Sequence, residues 1–377
     1  MNRIAILTPY MTTGDAVGND VSGMLDVLKR LSFDVRIYAA DWSLKEPKRR
    51  SVHRLKSLLI EPKVWPASTI KSFLTDATDL LIYHYSMGWD PGMELLKELR
   101  CKRVIKYHNV TPPEFFRGWS TNHEDVCRKG REQLEALAKA ECDSYLSDSE
   151  YNMWELISKG ADQSKCFVVP PFHLVDQLQS LEPNFEVLDK YRNGTTNILM
   201  VGRVSPNKGH VALIDAFATY HRYYNNKSRL LVVGKEHEEL ETYSRFLREH
   251  VARLGLQDTV VFTGEVNVAA LKSYYLLAKA FMLTSQHEGF CVPLVESMAM
   301  KVPIVAYASS AVADTVGEAG LIWEEGNPQL LAKSLDVIVN EESVGARLGL
   351  LGTRRYEQMF TNPKIEAQFL SALSGII

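Results

Sequence analysis

Met200-Val201-Gly202-Arg203-Val204-Ser205-Pro206-Asn207-Lys208-Gly209-His210 is the stretch that decides how this chain is organised. An apolar run ends on a glycine, a short charged loop follows, and a helical pattern begins after Lys208-Gly209. Strand, tight loop and helix in that order form the connection of a parallel sheet. The start of such a helix offers free N–H groups and a partial positive charge, which together attract an anion. Arg203 adds a planar fork of donors and Lys208 a point charge, a combination suited to a diphosphate. An isolated Arg and Lys near a loop are equally common on any surface, so the pair gains meaning only from what surrounds it. The loop is not a Walker A motif, and the dinucleotide fingerprint G-x-G-x-x-G is missing as well, which disfavours a dehydrogenase.

The same alternation runs outward in both directions. Strands are expected at Arg3–Thr8, Asp34–Tyr38, Asp79–Tyr83, Arg103–Tyr107, Ser144–Leu146 and Cys166–Val169. A second series is expected at Asn197–Val201, Arg229–Val233, Val260–Thr263, Ala280–Thr284 and Pro303–Ala306. Helical patterns such as Gly209–Tyr224, Leu240–Leu254 and Pro293–Met300 separate them. Eleven strands overfill one sheet, and the series starts twice. Pro170-Pro171 and the turn signal Asn193-Gly194 bracket the break. The expected fold class is therefore α/β, with two doubly wound, Rossmann-like domains facing across a cleft. The expected boundaries are residues 1–170, a linker or hinge at 171–195, a second domain at 196–361, and a C-terminal helix at 362–377 that crosses back to the first domain.

Composition sets the outer limits. The chain has 377 residues, 46% hydrophobic and 24% charged, which is ordinary for a globular protein of two or three domains. A net charge of −3 gives no basic field for nucleic acid. Five cysteines in no metal-ligand spacing are expected to be reduced thiols of a cytoplasmic protein. No stretch approaches the roughly 18 apolar residues of a transmembrane helix. From Lys45 to Lys63 seven basic residues outweigh two glutamates. That run is either a solvated loop and helix face or a patch that meets anionic lipid headgroups at the inner membrane face.

In such domains ligands gather outside the carboxyl ends of the strands. A second loop there is Ser285-Gln286-His287-Glu288-Gly289-Phe290-Cys291-Val292-Pro293, running into a helix that carries Glu296. Two carboxylates eight residues apart at one helix start can hydrogen-bond different hydroxyls, or can merely complement the helix dipole. Taken together, Gly202-Arg203…Lys208-Gly209 and the E-x7-E string from Glu288 to Glu296 resemble the retaining nucleotide-sugar glycosyltransferases of family 4, the glycosyl transferases group 1, which have the GT-B fold. The likeness is strongest from Asn197 to Gly320. In the first half, Tyr107-His108-Asn109-Val110-Thr111-Pro112-Pro113-Glu114-Phe115-Phe116 and Ser147-Asp148-Ser149-Glu150-Tyr151-Asn152 are similar to bacterial members too. Asp148-Ser149-Glu150 reads as a helix cap rather than a D-x-D metal motif.

The resemblance implies roles residue by residue. Arg203 and Lys208 would neutralise the leaving diphosphate beside Gly202. Glu288, with the N–H groups of Gly289, Phe290 and Cys291, would hold the donor sugar, and the N–H groups of Phe290, Cys291 and Val292 at the same helix start read as a ready anion site. Glu296 would bind the ribose, while Lys235, Glu265 and Val266 would border the base. His108 would reach the reacting sugar, and Gly14 would bring backbone near phosphate, with Asp15 standing where many members have a second glycine. The implied reaction is transfer of a hexose from a nucleoside-diphosphate sugar, UDP-glucose ahead of GDP-mannose, to a glycan or lipid-linked glycan acceptor in polysaccharide biosynthesis. No cofactor and no metal are implied. A silent nucleotide-sugar-binding subunit of a glycan-assembly complex, or a sugar-nucleotide epimerase on the same fold, remain alternatives.

Overall fold

The computed structural model describes residues 3–12, 14–43 and 62–377. All but the last two residues of the basic Lys45–Lys63 run lie outside the described residues. The chain divides into two compact units. The first comprises Met1–Val110, Val126–His173 and Asn362–Ile377, and the second Thr111–Asp125 and Leu174–Thr361.

The first unit is built on β1 (Arg3–Thr12), β2 (Asp34–Ser43), β3 (Val64–Pro66), β4 (Leu80–Tyr85), β5 (Lys102–Tyr107), β6 (Ser144–Ser147) and β7 (Cys166–Val168). They form one sheet in the order β3-β2-β1-β4-β5-β6-β7, with every pairing parallel. Such a sheet is covered on both faces, so the middles of its strands are mostly apolar. Alternation sorts them. Ile4, Ile6, Leu80, Ile82 and Val104 enter one core. Ala5, Leu7, Leu81, Tyr83 and Ile105 enter the other. The helix Asn362–Ala372 belongs to the first of these cores through Ile365, Phe369 and Ala372.

The second unit carries β8 (Thr196–Val201), β9 (Ser228–Val233), β10 (Val260–Gly264), β11 (Ala278–Leu283), β12 (Ile304–Tyr307) and β13 (Gly320–Trp323). Their order is β10-β9-β8-β11-β12-β13, again all parallel. Each sheet thus reverses its strand order once, between β1 and β4 and between β8 and β11. Loops leaving those strand ends flank the crevice where doubly wound sheets bind ligands.

All eleven expected strands are present. The two extra ones, β3 and β13, are sheet edges of three and four residues, too short to show a period. β1 and β2 run past their expected ends because their pairing continues through Tyr10↔Asp41 and Met11↔Trp42. The stretch expected as a linker carries two helices, Val175–Ser180 and Phe185–Tyr191, whose Val175, Leu178 and Tyr191 are buried in the second unit's core. Its polar side chains are spent on capping and bracing: Asn184 caps the second helix and Gln179 Nε2 donates to the Ala299 carbonyl at 3.2 Å, while Lys272 from outside the stretch donates to the carbonyls of Gln179 and Leu181 at 2.6 and 2.7 Å. A further difference is Thr111–Asp125, which follows β5 in the chain yet belongs to the second unit. There Trp119 lies against Tyr243 and Phe246 at 5.1 and 5.3 Å between ring centroids, and Glu239 binds both Asn122 and His123. No helix among the described residues is long and apolar enough to cross a membrane.

Candidate functional site

In the second unit three neighbouring strands end on glycines that hold their loops together. The Gly202 N–H donates to the Val233 carbonyl at 2.9 Å, and the Gly234 N–H to the Gly264 carbonyl at 3.1 Å. A Cβ on Gly234 would lie 1.9 Å from the Gly202 carbonyl oxygen, so no other residue permits this approach. Lys235 follows, and its carbonyl accepts from the Val204 N–H at 2.9 Å. Arg203 and Lys235 are both exposed beside these glycines, and Val266 packs half-buried against the core.

The loop after β8 is stitched to the loop after β11. Gly209 adopts φ +66°, and a Cβ there would stand 2.0 Å from the Thr284 carbonyl oxygen. Thr284 returns a bond from Oγ1 to the Gly209 carbonyl at 2.9 Å. The Gln286 N–H donates to the Asn207 carbonyl at 2.8 Å, and Asn207 Nδ2 donates to the His287 carbonyl at 3.2 Å. These bonds bring Lys208 onto Glu288: its ammonium donates to both carboxylate oxygens, at 2.7 and 2.8 Å. The cation expected on a diphosphate and the acid expected on a sugar are thus a chelated ion pair here, with 17% and 7% of their side chains exposed.

Ser310 Oγ accepts from the Glu288 N–H at 2.7 Å, so the acid is fixed at its backbone as well. Phe290 and Cys291 turn their side chains into the core. Phe290 meets Phe360 edge-on at 5.5 Å, and burial pushes the Cys291 thiol well up, leaving it no nucleophile. What this turn can offer a ligand is backbone. Cys291, at φ +76°, sits as the N-cap of the helix Val292–Ala299. Glu296, one turn in, accepts from the Tyr275 hydroxyl at 2.7 Å. Burial raises its carboxyl to about 7, against a lowering by that bond.

In the first unit Gly14 has φ +92°, and Asp15 caps the helix Ala16–Arg30 by accepting from the Gly18 N–H at 2.6 Å. His108 stands just past β5, with 5% of its side chain exposed. Alternation along the strands places His84, Lys106, His108 and Asp148 on one face, and Asp20 on the covering helix meets them. His108 Nδ1 is 2.9 Å from Asp148 Oδ2, and His108 Nε2 is 2.9 Å from His84 Nδ1. Lys106 is fully buried, 2.6 Å from Asp148 Oδ1 and 3.8 Å from Asp20 Oδ2, and it donates to the Val169 carbonyl. Burial raises the Asp20 carboxyl. Burial acts the same way on Asp148, but His108 and Lys106 outweigh it and hold that carboxyl below its ordinary value. Burial, with His108 and Lys106 beside it, drives His84 far toward its neutral form.

Asp20, His84 and His108 bring three ligand-type atoms within 4.8 Å of one another. The positive charge that this acidic surrounding calls for is already supplied by the Lys106 ammonium, which makes the cluster an ion-paired network. Sequence reasoning singled out His108 but missed Asp20, His84 and Lys106, and it read Asp148 as part of a cap. The cap is Ser149, accepting from the Asn152 N–H at 3.2 Å. The available signal was a lysine inside the apolar run Val104-Ile105-Lys106-Tyr107.

Two sheets of this topology, each with its loops at the switch point, are those of GT-B glycosyltransferases. Along its whole length the chain superposes on the Anabaena protein Alr3699/HepE in complex with UDP and glucose, with TM-score 0.73 and 17% identity, covering 100% of both chains. It also superposes on sucrose-phosphate synthase from Thermosynechococcus elongatus, with TM-score 0.75 and 18% identity, over 100% and 99% of the two chains. Residues 188–352, most of the second unit, match the model of the glycosyl transferases group 1. Mannosylfructose-phosphate synthase from Agrobacterium fabrum is 27% identical over 254 residues, 66% of this chain and 56% of that protein. The capsular polysaccharide biosynthesis glycosyltransferase CapM from Staphylococcus aureus is 30% identical over 186 residues, 47% of this chain and 45% of that protein. The matched part thus spans about half the length of these curated relatives.

Proposed function

We propose that the protein is a retaining hexosyltransferase that takes its sugar from a nucleoside-diphosphate donor, UDP-glucose ahead of GDP-mannose, and passes it to a glycan or lipid-linked glycan. One observation carries the reading: Lys208 and Glu288, on loops after two different strands, are locked together beside Gly202-Arg203 and a helix start. Glycosyl transfer breaks the bond between anomeric carbon and phosphate, so charge grows on the departing diphosphate. Cations and N–H groups already in place lower that barrier without having to reorganise. Arg203 and Lys208 supply the cations, and the Phe290–Val292 turn supplies the N–H groups. Donor binding exchanges the Lys208–Glu288 pair for two new partners, diphosphate on the ammonium and sugar hydroxyls on the carboxylate. Glu296 receives the ribose, and Lys235 and Val266 border the base.

In this reading the leaving phosphate itself accepts the acceptor's proton, so no protein nucleophile and no metal is required. The work is cytoplasmic, with contact to an anionic membrane face where the acceptor is lipid-linked. The test is a thermal-shift series with UDP, GDP and ADP and their sugars. A donor bound well below its added concentration raises the melting temperature by mass action. A shift with one base, followed by release of that nucleotide when an acceptor is supplied, is expected. No shift with any of the three overturns the proposal.

A further inference from the structure

The resemblance hands the reacting sugar to His108, yet in the structure neither nitrogen of that ring is open. Nδ1 lies 2.9 Å from Asp148 Oδ2 and Nε2 lies 2.9 Å from His84 Nδ1. The two imidazoles are stacked, with centroids 5.1 Å apart and planes 25° from parallel. Asp148 is in turn held by the Lys106 ammonium, and Lys106 by the Val169 carbonyl. The far nitrogen of His84, Nε2, is fully buried and has no hydrogen-bond partner, as has Asp20 Oδ2. A buried polar atom left without a partner costs about 1–3 kcal/mol. A fully buried histidine with one such nitrogen is a poor core residue, where an apolar side chain of the same shape would serve better.

We propose that His84 is a positioning residue for His108: it commits Nε2 while Asp148 commits Nδ1, and so gives the His108 ring a single orientation. His108 then acts on the donor sugar through the placement of its ring. This rests on the reading of His108 as a residue of the transfer site. It accords with a reaction in which phosphate takes the proton. The charged and titratable groups around the pair are Asp20 from the covering helix, Lys106 from β5 and Asp148 from the end of β6. Removal of the groups that orient a metal-ligating imidazole typically costs 10–100-fold in affinity or activity, and a loss of that order is the expectation for an imidazole oriented by another imidazole.

The experiment uses the full chain with 15N-labelled histidine. A through-hydrogen-bond 15N–15N coupling between His84 Nδ1 and His108 Nε2 is expected in the protein without substrate, whichever ring carries the proton. His84→Phe keeps the ring and removes both nitrogens. It should lower kcat 10–100-fold while the dissociation constant for the donor stays within twofold. His84→Gln presents an amide to Nε2 and should recover most of the loss. Absence of the coupling in the folded protein overturns the proposal, as does a folded His84→Phe with kcat within twofold of the parent. A His84→Gln no better than His84→Phe also overturns it, because a mere space-filling role predicts that result. If His84→Phe does not fold, the coupling and His84→Gln decide. The coupling is read without turnover, so failure of the transferase reading leaves it standing, and its own failure leaves donor binding untouched.

Discussion

Replacing Lys208 by Met tests whether the ion pair is part of the resting protein or an incidental contact. Met keeps the length of the side chain and removes its charge. The carboxylate of Glu288, 7% exposed and chelated at 2.7 and 2.8 Å, is then left without its counter-charge. Breaking a fully buried pair costs about 3–5 kcal/mol. Lys208 keeps 17% exposure, and water reaching the vacated side lowers the cost to roughly 2–3 kcal/mol. At about 2–4 °C per kcal/mol for a unit of this size, the melting temperature should fall by roughly 5–10 °C. The double variant Lys208→Met/Glu288→Gln carries no orphaned charge and should regain at least half of that fall. A double-mutant cycle by differential scanning fluorimetry at pH 7 measures both numbers. The reasoning fails if Lys208→Met melts within 1 °C of the parent, or if the double variant is less stable than either single one.

Arg203 is exposed, so Arg203→Ala should leave the melting temperature unchanged while turnover drops roughly 10²–10³-fold, as for a lost oxyanion donor; steady-state kinetics beside a melt checks both. Glu296 titrates near 7 when folded against an ordinary value of 4.5, so the folded state holds the extra proton, and stability falls as pH rises between those values, by at most roughly 3 kcal/mol. Urea melts at pH 5 and pH 8 should show Glu296→Gln gaining on the parent as pH rises, and an equal gap at both pH values would refute the assignment. Phe369 is fully buried in the first unit's core, and Phe369→Ala should cost about 3–5 kcal/mol of that unit's stability, read by urea unfolding.

How much of this was legible in the sequence follows from what burial does to a strand. Parallel strands covered on both faces become apolar runs, and eleven of them stood out. β3 and β13 did not, because three and four residues at a sheet edge, none of them fully buried, carry no period and Pro66 speaks against a strand. The loops at Gly202 and Glu288 were legible because each follows a strand and ends in a helix. Their pairing was not, since Lys208 and Glu288 are 80 residues apart and only strand order makes them neighbours. The network around His108 hid for a related reason. Parity along each strand puts His84, Lys106 and His108 on one face, but which strands adjoin, and in what register, is a property of the sheet. The 171–195 stretch misled in the other direction: its Asn184 and Gln179 side chains cap and brace two helices whose apolar residues are few but buried.

The excursion of residues 111–125 has a practical consequence for anyone wishing to cut the molecule in two. The chain passes from one unit to the other four times, after Val110, Asp125, His173 and Thr361. A protease nick or gene truncation at Leu174 would therefore release a fragment stripped of Trp119, baring Tyr243 and Phe246, while the remainder would surrender the helix that seals Ile4 and Ile6. Neither half is a detachable module, and the two have to be inherited, expressed and engineered as a single piece.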